Sequence, residues 1–72
     1  MIKIGIVGTG GIAEWHAKEF QKIPDSSVIS ACDDLKERLN FFCDKFDIRE
    51  RYNSVEELLQ KSDVDAITNT TP

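Results

Sequence analysis

Apolar and polar positions recur along this chain with two different periods, and the switches between them divide it into seven segments. Residues 2–7, Ile-Lys-Ile-Gly-Ile-Val, are apolar except for Lys3 and predict a largely buried parallel strand ending at Gly8. From Gly11 the period becomes helical. Ile12, Ala13, His16, Ala17, Phe20 and Ile23 share one face, with Glu14, Lys18, Glu19 and Lys22 mostly outside it. Pro24 closes that helix and Asp25-Ser26-Ser27 turns the chain. Residues 28–32, Val-Ile-Ser-Ala-Cys, then read as a second short buried strand.

Asp34-Leu-Lys-Glu37 offers a carboxylate N-cap with Glu at the third helical position, much like a capping box. Behind it Leu35, Leu39, Phe42, Cys43 and Phe46 mark one face of an amphipathic helix. Arg51-Tyr52 predicts a short strand. Ser54-Val-Glu-Glu57 is a full capping box opening a helix that buries Val55, Leu58 and Leu59, and residues 65–70 predict a fourth strand. The order β-α-β-α-β-α-β, with amphipathic helices between strands, implies an α/β fold with a parallel sheet and right-handed crossovers.

Composition narrows what such a sheet can serve. The 72 residues carry a formal net charge of −4, with both signs scattered. Nucleic acid or an anionic membrane would call for a basic patch, so neither is expected as a partner. No segment approaches the ~20 apolar residues of a membrane span, and the N-terminus lacks the pattern of a signal peptide. Cys32 and Cys43 match no zinc or C-x-x-C spacing and read as buried reduced thiols, which fits a cytoplasmic protein with no metal site.

All four glycines fall between residues 5 and 11, around the turn from the first strand into the first helix. Gly8-x-Gly10-x-x-Ala13 is the G-x-G-x-x-G/A pattern, each small residue having its own steric reason. The first permits a tight turn, the second lets backbone approach a pyrophosphate, and the third lets helix pack closely on strand. The helix start then presents unpaired N–H groups and a positive dipole end to that anion, and Gly11 leaves further room there. Asp33, twenty positions after Ala13 at the end of the second strand, is the acid the fingerprint requires to bond the adenosine ribose. A P-loop is excluded because no lysine follows the glycines until Lys18. FAD- and S-adenosylmethionine-binding relatives of the fold remain open on these residues alone. His16 reads as a hydrogen-bonded packing residue rather than an acid–base group, and Trp15 as a partly buried anchor.

The segments "MIKIGIVGTGGIAEWHAKEF", "VISACDD" with Arg38 behind it, "YNSVEELL" and "VDAITNTTP" together resemble the N-terminal part of the glucose–fructose oxidoreductase/inositol dehydrogenase-like (Gfo/Idh/MocA) family. The similarity spans all 72 residues. It implies the first half of a Rossmann-type doubly wound sheet, truncated after the fourth strand, with the remaining strands and a substrate domain outside this chain. It implies cofactor contacts from Gly8, Thr9, Gly10, Gly11, Ile12 and Asp33, with Asp34 and Arg38 near the adenosine end. Thr70, Thr71 and Pro72 match the family's Thr-Pro turn beside the cofactor. Asn69 departs from the pattern, standing where the family usually has an apolar residue.

The implied activity is hydride transfer between a nicotinamide dinucleotide, NAD rather than NADP, and a sugar, cyclitol or related secondary alcohol. Asp33 and Asp34 set the cofactor preference by repelling a 2′-phosphate. The family's catalytic lysine lies in a Glu-Lys-Pro segment that these residues do not include, so the catalytic residues are unknown and the 72 residues alone are expected to be inactive. A non-catalytic dinucleotide-binding regulatory or redox-sensing module is the alternative. In the strand order 3-2-1-4-5-6 residues 65–70 would form a bare edge here, so a homo-oligomer is expected.

Overall fold

The computed structural model describes residues 1–70; Thr71 and Pro72 lie outside the described residues. Seven elements follow one another as β1 (Ile2–Val7), α1 (Gly11–Gln21), β2 (Ser26–Cys32), α2 (Lys36–Phe46), β3 (Glu50–Tyr52), α3 (Val55–Lys61) and β4 (Ala66–Asn69). The strands are parallel and ordered β3-β2-β1-β4. This is the first-half Rossmann arrangement that the alternation of periods predicts. Beyond β3 the chain crosses back over two strands to reach the far side of β1. Right-handed crossovers therefore place α1 and α2 on one face of the sheet and α3 on the other.

The larger core lies under α1 and α2. It joins Ile6 and Ala31 from the central strands with Ala13 and Ala17 of α1 and Leu39, Phe42 and Cys43 of α2, closed by Ile48. Small residues on α1 bring that helix close to the sheet, and the large ones on α2 fill the wider space beside it. The rings of Phe42 and Phe46 lie 5.0 Å apart in a tilted pair.

On the opposite face β1 presents Gly5. A methyl group built there would lie 3.0 Å from Ser30 Oγ, 3.2 Å from Leu58 Cδ2 and 3.3 Å from Val64 Cγ1. This glycine therefore serves the close docking of α3 rather than the turn where its neighbours sit. The hydroxyl of Ser62, just past α3, donates to that of Ser30 at 3.0 Å and ties the helix end to β2. At the other end of α3 the expected Ser54 cap is present, with the reciprocal bond of the capping box moved one residue back. Ser54 Oγ accepts from the Glu57 N–H at 3.1 Å, while Glu57 reaches back to the Asn53 N–H.

Several apolar residues assigned to buried faces are exposed. Leu35 precedes α2 and is 54% exposed, and Ile12, Ile23 and Leu59 are exposed as well. Their positions carry the right helical phase, but no described element lies across from them. The expected N-cap at Asp34 is also displaced. Leu35 occupies the cap of α2 without a side-chain bond, and the carboxylate that accepts the Leu35 N–H is that of Asp33, at 2.9 Å. An Asx turn two residues long replaces the cap.

Replacing Gly5 by valine adds three carbons to a site where the first already lies within 3.0–3.3 Å of three side-chain atoms. Gly5→Val is expected to destabilise the protein by about 1–3 kcal/mol, the usual effect of overpacking a core, read as a lower midpoint in urea denaturation. An unchanged midpoint would mean that α3 does not dock as described.

Candidate functional site

The C-terminal ends of parallel strands leave backbone groups and loop residues at one edge of the sheet, and a cleft forms there when successive strands lead in opposite directions. In this chain that point lies between β1 and β4, beside the turn Gly8–Gly10. Gly8 has φ of 90°, a left-handed conformation that favours glycine. Gly10 caps α1 in an extended conformation with no side chain to bond the helix start. The Ala13 N–H donates back to the Gly10 carbonyl at 3.0 Å. Among the described residues the Gly11 and Ile12 N–H groups have no acceptor. These are the donors a helix start offers to an anion.

A Cβ added at Gly10 or Gly11 would meet nothing within 4 Å. Neither backbone conformation nor internal packing requires glycine at these two positions. The space their missing side chains leave belongs to a cleft of about 230 Å³ formed by the turn, Ile12, Arg38 and Thr70. The residues fit a pyrophosphate: bare backbone, unpaired N–H groups and the positive end of an 11-residue helix.

Two anchors hold the turn. On one side Thr70 donates its N–H to the Val7 carbonyl at 2.8 Å, and its hydroxyl lies 3.0 Å from that carbonyl and 2.8 Å from that of Gly8. On the other side Asp33 Oδ2 accepts from the Thr9 N–H at 2.9 Å and the Thr9 hydroxyl at 2.6 Å. Asp33 is also gripped from α2. Arg38 Nε donates to Oδ2 at 2.8 Å and Arg38 Nη2 to Oδ1 at 3.0 Å, a two-pronged pair. With the Leu35 N–H on Oδ1, the carboxylate accepts five hydrogen bonds, and its side chain is only 1% exposed. Burial alone would raise its pKa. The Arg38 guanidinium, the Thr9 hydroxyl and the backbone N–H groups of Leu35 and Thr9 outweigh that, and hold the carboxyl well below the ordinary carboxylate range.

A second cleft of about 280 Å³ opens on the far side of Arg38, where Gly8, Asp33 and Asp34 meet residues beyond β3. The structure thus brings together Gly8, Thr9, Gly10, Gly11, Ile12, Asp33, Asp34, Arg38 and Thr70 along one edge. Asp33 stands across from the turn as expected, but its oxygens are filled from within the chain. Asn53, Ser54 and Val55, which fall in the YNSVEELL segment but carry no implied cofactor contact, line the second cleft. They follow the third strand, so the common direction of parallel strands was the available signal.

His16 and Trp15 stand apart from both clefts. The two rings meet edge-on at 5.3 Å, and Trp15 is 61% exposed rather than partly buried. His16 is half-buried and, among the described residues, its ring makes no hydrogen bond. Both thiols are free and buried. Burial pushes each upward in pKa, Cys43 to about 11, so neither has the character of a nucleophile. No helix of the described residues is long and apolar enough to cross a membrane.

Comparison with known proteins gives a consistent picture. The sequence model of the Gfo/Idh/MocA oxidoreductase family, NAD-binding Rossmann fold, matches residues 2–72. The myo-inositol 2-dehydrogenase of Thermotoga maritima is 29% identical over 66 residues, which cover 92% of this chain and 20% of that protein. The structure of scyllo-inositol dehydrogenase from Lactobacillus casei, with NAD(H) and scyllo-inositol bound, superposes with a TM-score of 0.91 at 27% identity, covering 100% of this chain and 22% of the other. The WlbA dehydrogenase from Bordetella pertussis, in complex with NADH and UDP-GlcNAcA, superposes with a TM-score of 0.92 at 25% identity, covering 99% and 22%. The chain spans about a fifth of the length of these relatives.

The filled carboxylate makes stability depend on acid. Asp33 is harder to protonate folded than unfolded, so its contribution is fully present above its ordinary pKa of about 3.9 and is lost as pH falls toward the lower folded value. Asp33→Asn is expected to lower stability by about 1–3 kcal/mol at pH 7, with the gap to wild type narrowing below about pH 4. Denaturation curves at a series of pH values measure it, and a gap independent of pH would contradict the assignment.

Proposed function

Because this chain belongs to the Gfo/Idh/MocA oxidoreductase family, which has an NAD-binding Rossmann fold, we propose that its glycine turn and Asp33 cleft form the pyrophosphate and adenosine-ribose half of an NAD site. The protein that contains it is an oxidoreductase exchanging hydride with a carbinol carbon of a sugar, cyclitol or related alcohol. The observation that carries the reading is the open space over Gly10 and Gly11, next to two backbone donors without acceptors. A chain that merely needed a tight turn would require glycine only at Gly8, where φ is positive.

The bound dinucleotide supplies hydride acceptance and donation. The chain's own residues bind and orient it. Gly11 and Ile12 N–H groups and the α1 dipole hold the pyrophosphate, and Thr70 and Thr9 keep the turn from collapsing into that space. Asp33, with Asp34 beside it, offers negative charge where NADP would carry a 2′-phosphate, which favours NAD. Thr71 and Pro72 extend the same reading past Thr70. The inositol dehydrogenases and the UDP-GlcNAcA-bound enzyme among the relatives support an alcohol carried on a polyhydroxylated ring as substrate. Residues that touch substrate and move its proton are assigned to parts of the protein outside these 72 residues, in keeping with the fraction of the relatives that the chain spans.

Gly10→Val separates binding from folding. Gly10 has a backbone conformation open to any residue, and its Cβ would enter empty space, so melting should stay within a few degrees of wild type. Calorimetric titration with NAD should show affinity reduced at least about tenfold, since a branched side chain occupies the pyrophosphate position. Wild-type binding tighter for NAD than for NADP is expected in the same experiment. Failure of wild type to bind either nucleotide, or normal NAD binding by Gly10→Val, would overturn the proposal.

A further inference from the structure

An acidic side chain in the first turn of a helix strengthens the helix, because it faces the positive end of the dipole. The same charge is unwelcome where that end must receive an anion. α1 carries such a residue, Glu14. Helical side chains lean back over the turn that precedes them, which directs the Glu14 carboxylate toward the Gly11 and Ile12 N–H groups. Among the described residues nothing occupies those groups. Glu14 Oε1 accepts instead from Lys45 Nζ at 2.6 Å. The contact joins residues 31 positions apart and crosses from the last turn of α2 to the first turn of α1. Both partners are partly withdrawn from water, the Glu14 side chain being 31% exposed and that of Lys45 45%. The Lys45 ammonium, helped by Lys18 one turn further along α1, holds the Glu14 carboxyl below its ordinary range, so it is ionised at neutral pH. The other buried carboxylate at this edge, Asp33, is already matched by Arg38. Glu14 is thus the charge whose balance depends on Lys45.

We propose that Lys45 is a positioning residue for the anion site at the start of α1. It neutralises Glu14 and holds that carboxylate to the α2 side, which leaves the Gly11 and Ile12 N–H groups free for a pyrophosphate. This rests on the NAD-site reading above and deepens it by assigning a role to a residue that lines neither cleft. Lys45 acts through Glu14 alone. Without the ammonium, the Glu14 carboxylate opposes the ligand in two ways. It turns back over the first turn and takes the donors that the ligand needs, as acidic residues at helix starts do. Where it stays in place, its unbalanced charge repels the two charges of the pyrophosphate. Both effects fall on an anionic ligand, and neither requires a change of fold. An exposed pair of this kind contributes little to stability, so its consequence is read in binding rather than in melting.

The test is calorimetric titration with NAD of the wild-type protein, Lys45→Met, Glu14→Gln and the double variant, at low and high ionic strength. Lys45→Met keeps most of the stem and removes the ammonium. Its NAD affinity is expected to fall about threefold to tenfold at low salt, the scale of one carboxylate acting on two phosphate charges through a mostly aqueous path. Glu14→Gln should hold or raise the affinity, because the opposing charge is gone. In the double variant the loss should vanish, since nothing is left for Lys45 to neutralise. The deficit of Lys45→Met relative to wild type should shrink between about 0.01 M and about 1 M salt, as the screening length falls from about 30 Å to about 3 Å. A pair that only braced α1 against α2 would behave differently, with both single variants losing NAD affinity alike. That outcome, a loss that survives in the double variant, or one indifferent to salt would each overturn the proposal while leaving the NAD site intact. Glu14→Gln keeps the test decisive if Lys45→Met does not fold, because a fall in its NAD affinity contradicts the role given to Lys45. Absence of NAD binding by wild type would instead overturn the NAD-site reading on which the proposal rests.

Discussion

A buried carboxylate must be surrounded by donors, and the way this chain meets that demand at Asp33 organises the whole functional edge. An ionised group withdrawn from water is costly unless it is paired and hydrogen-bonded. The five donors around Asp33 come from three stretches of chain: the turn after β1, the entry to α2 and the first turn of α2 itself. One side chain thereby fixes the turn through Thr9, starts α2 one residue later than local sequence suggests, and holds Arg38 between two clefts.

The opposite anchor has a longer chain of causes. Gly5 lets α3 approach the sheet, and the contact with Leu58 and Val64 sets where the chain emerges to form β4. Pairing of β4 along β1 brings Thr70 level with Gly8, where its hydroxyl and N–H reach the two carbonyls at the end of β1. The turn is thus fastened from β2 by a side chain and from β4 by a threonine. Between the fastenings, Gly10 and Gly11 remain uncovered. A binding loop held rigidly at both ends loses less freedom when its ligand arrives, which is the general advantage of preorganisation.

Much of this was legible in the residues taken one after another. The order of elements, the parallel sheet, the helix cap at Ser54 and the glycine turn facing Asp33 all follow from local chemistry. Hydrophobic period, turn residues and cap residues act over a few positions, so a linear reading reaches them. The misassigned faces at Leu35, Ile12 and Leu59 have the opposite character. Helical phase says which residues point the same way, but burial depends on whether another element lies across the face.

What the sequence by itself determined is the fold's plan and the glycine turn facing Asp33, because both are written in short-range patterns of side-chain size and polarity. Tertiary structure alone decided which glycines border open space and which serve packing: Gly5 looks like its neighbours in the sequence but meets α3 instead of open space. It also decided that Asp33 is bonded to Thr9, Leu35 and Arg38. The Thr9 contacts join residues 24 positions apart, and they form only when the sheet brings the ends of β1 and β2 side by side. Hydrogen bonds are made between groups close in space, and that proximity is a property of the folded chain.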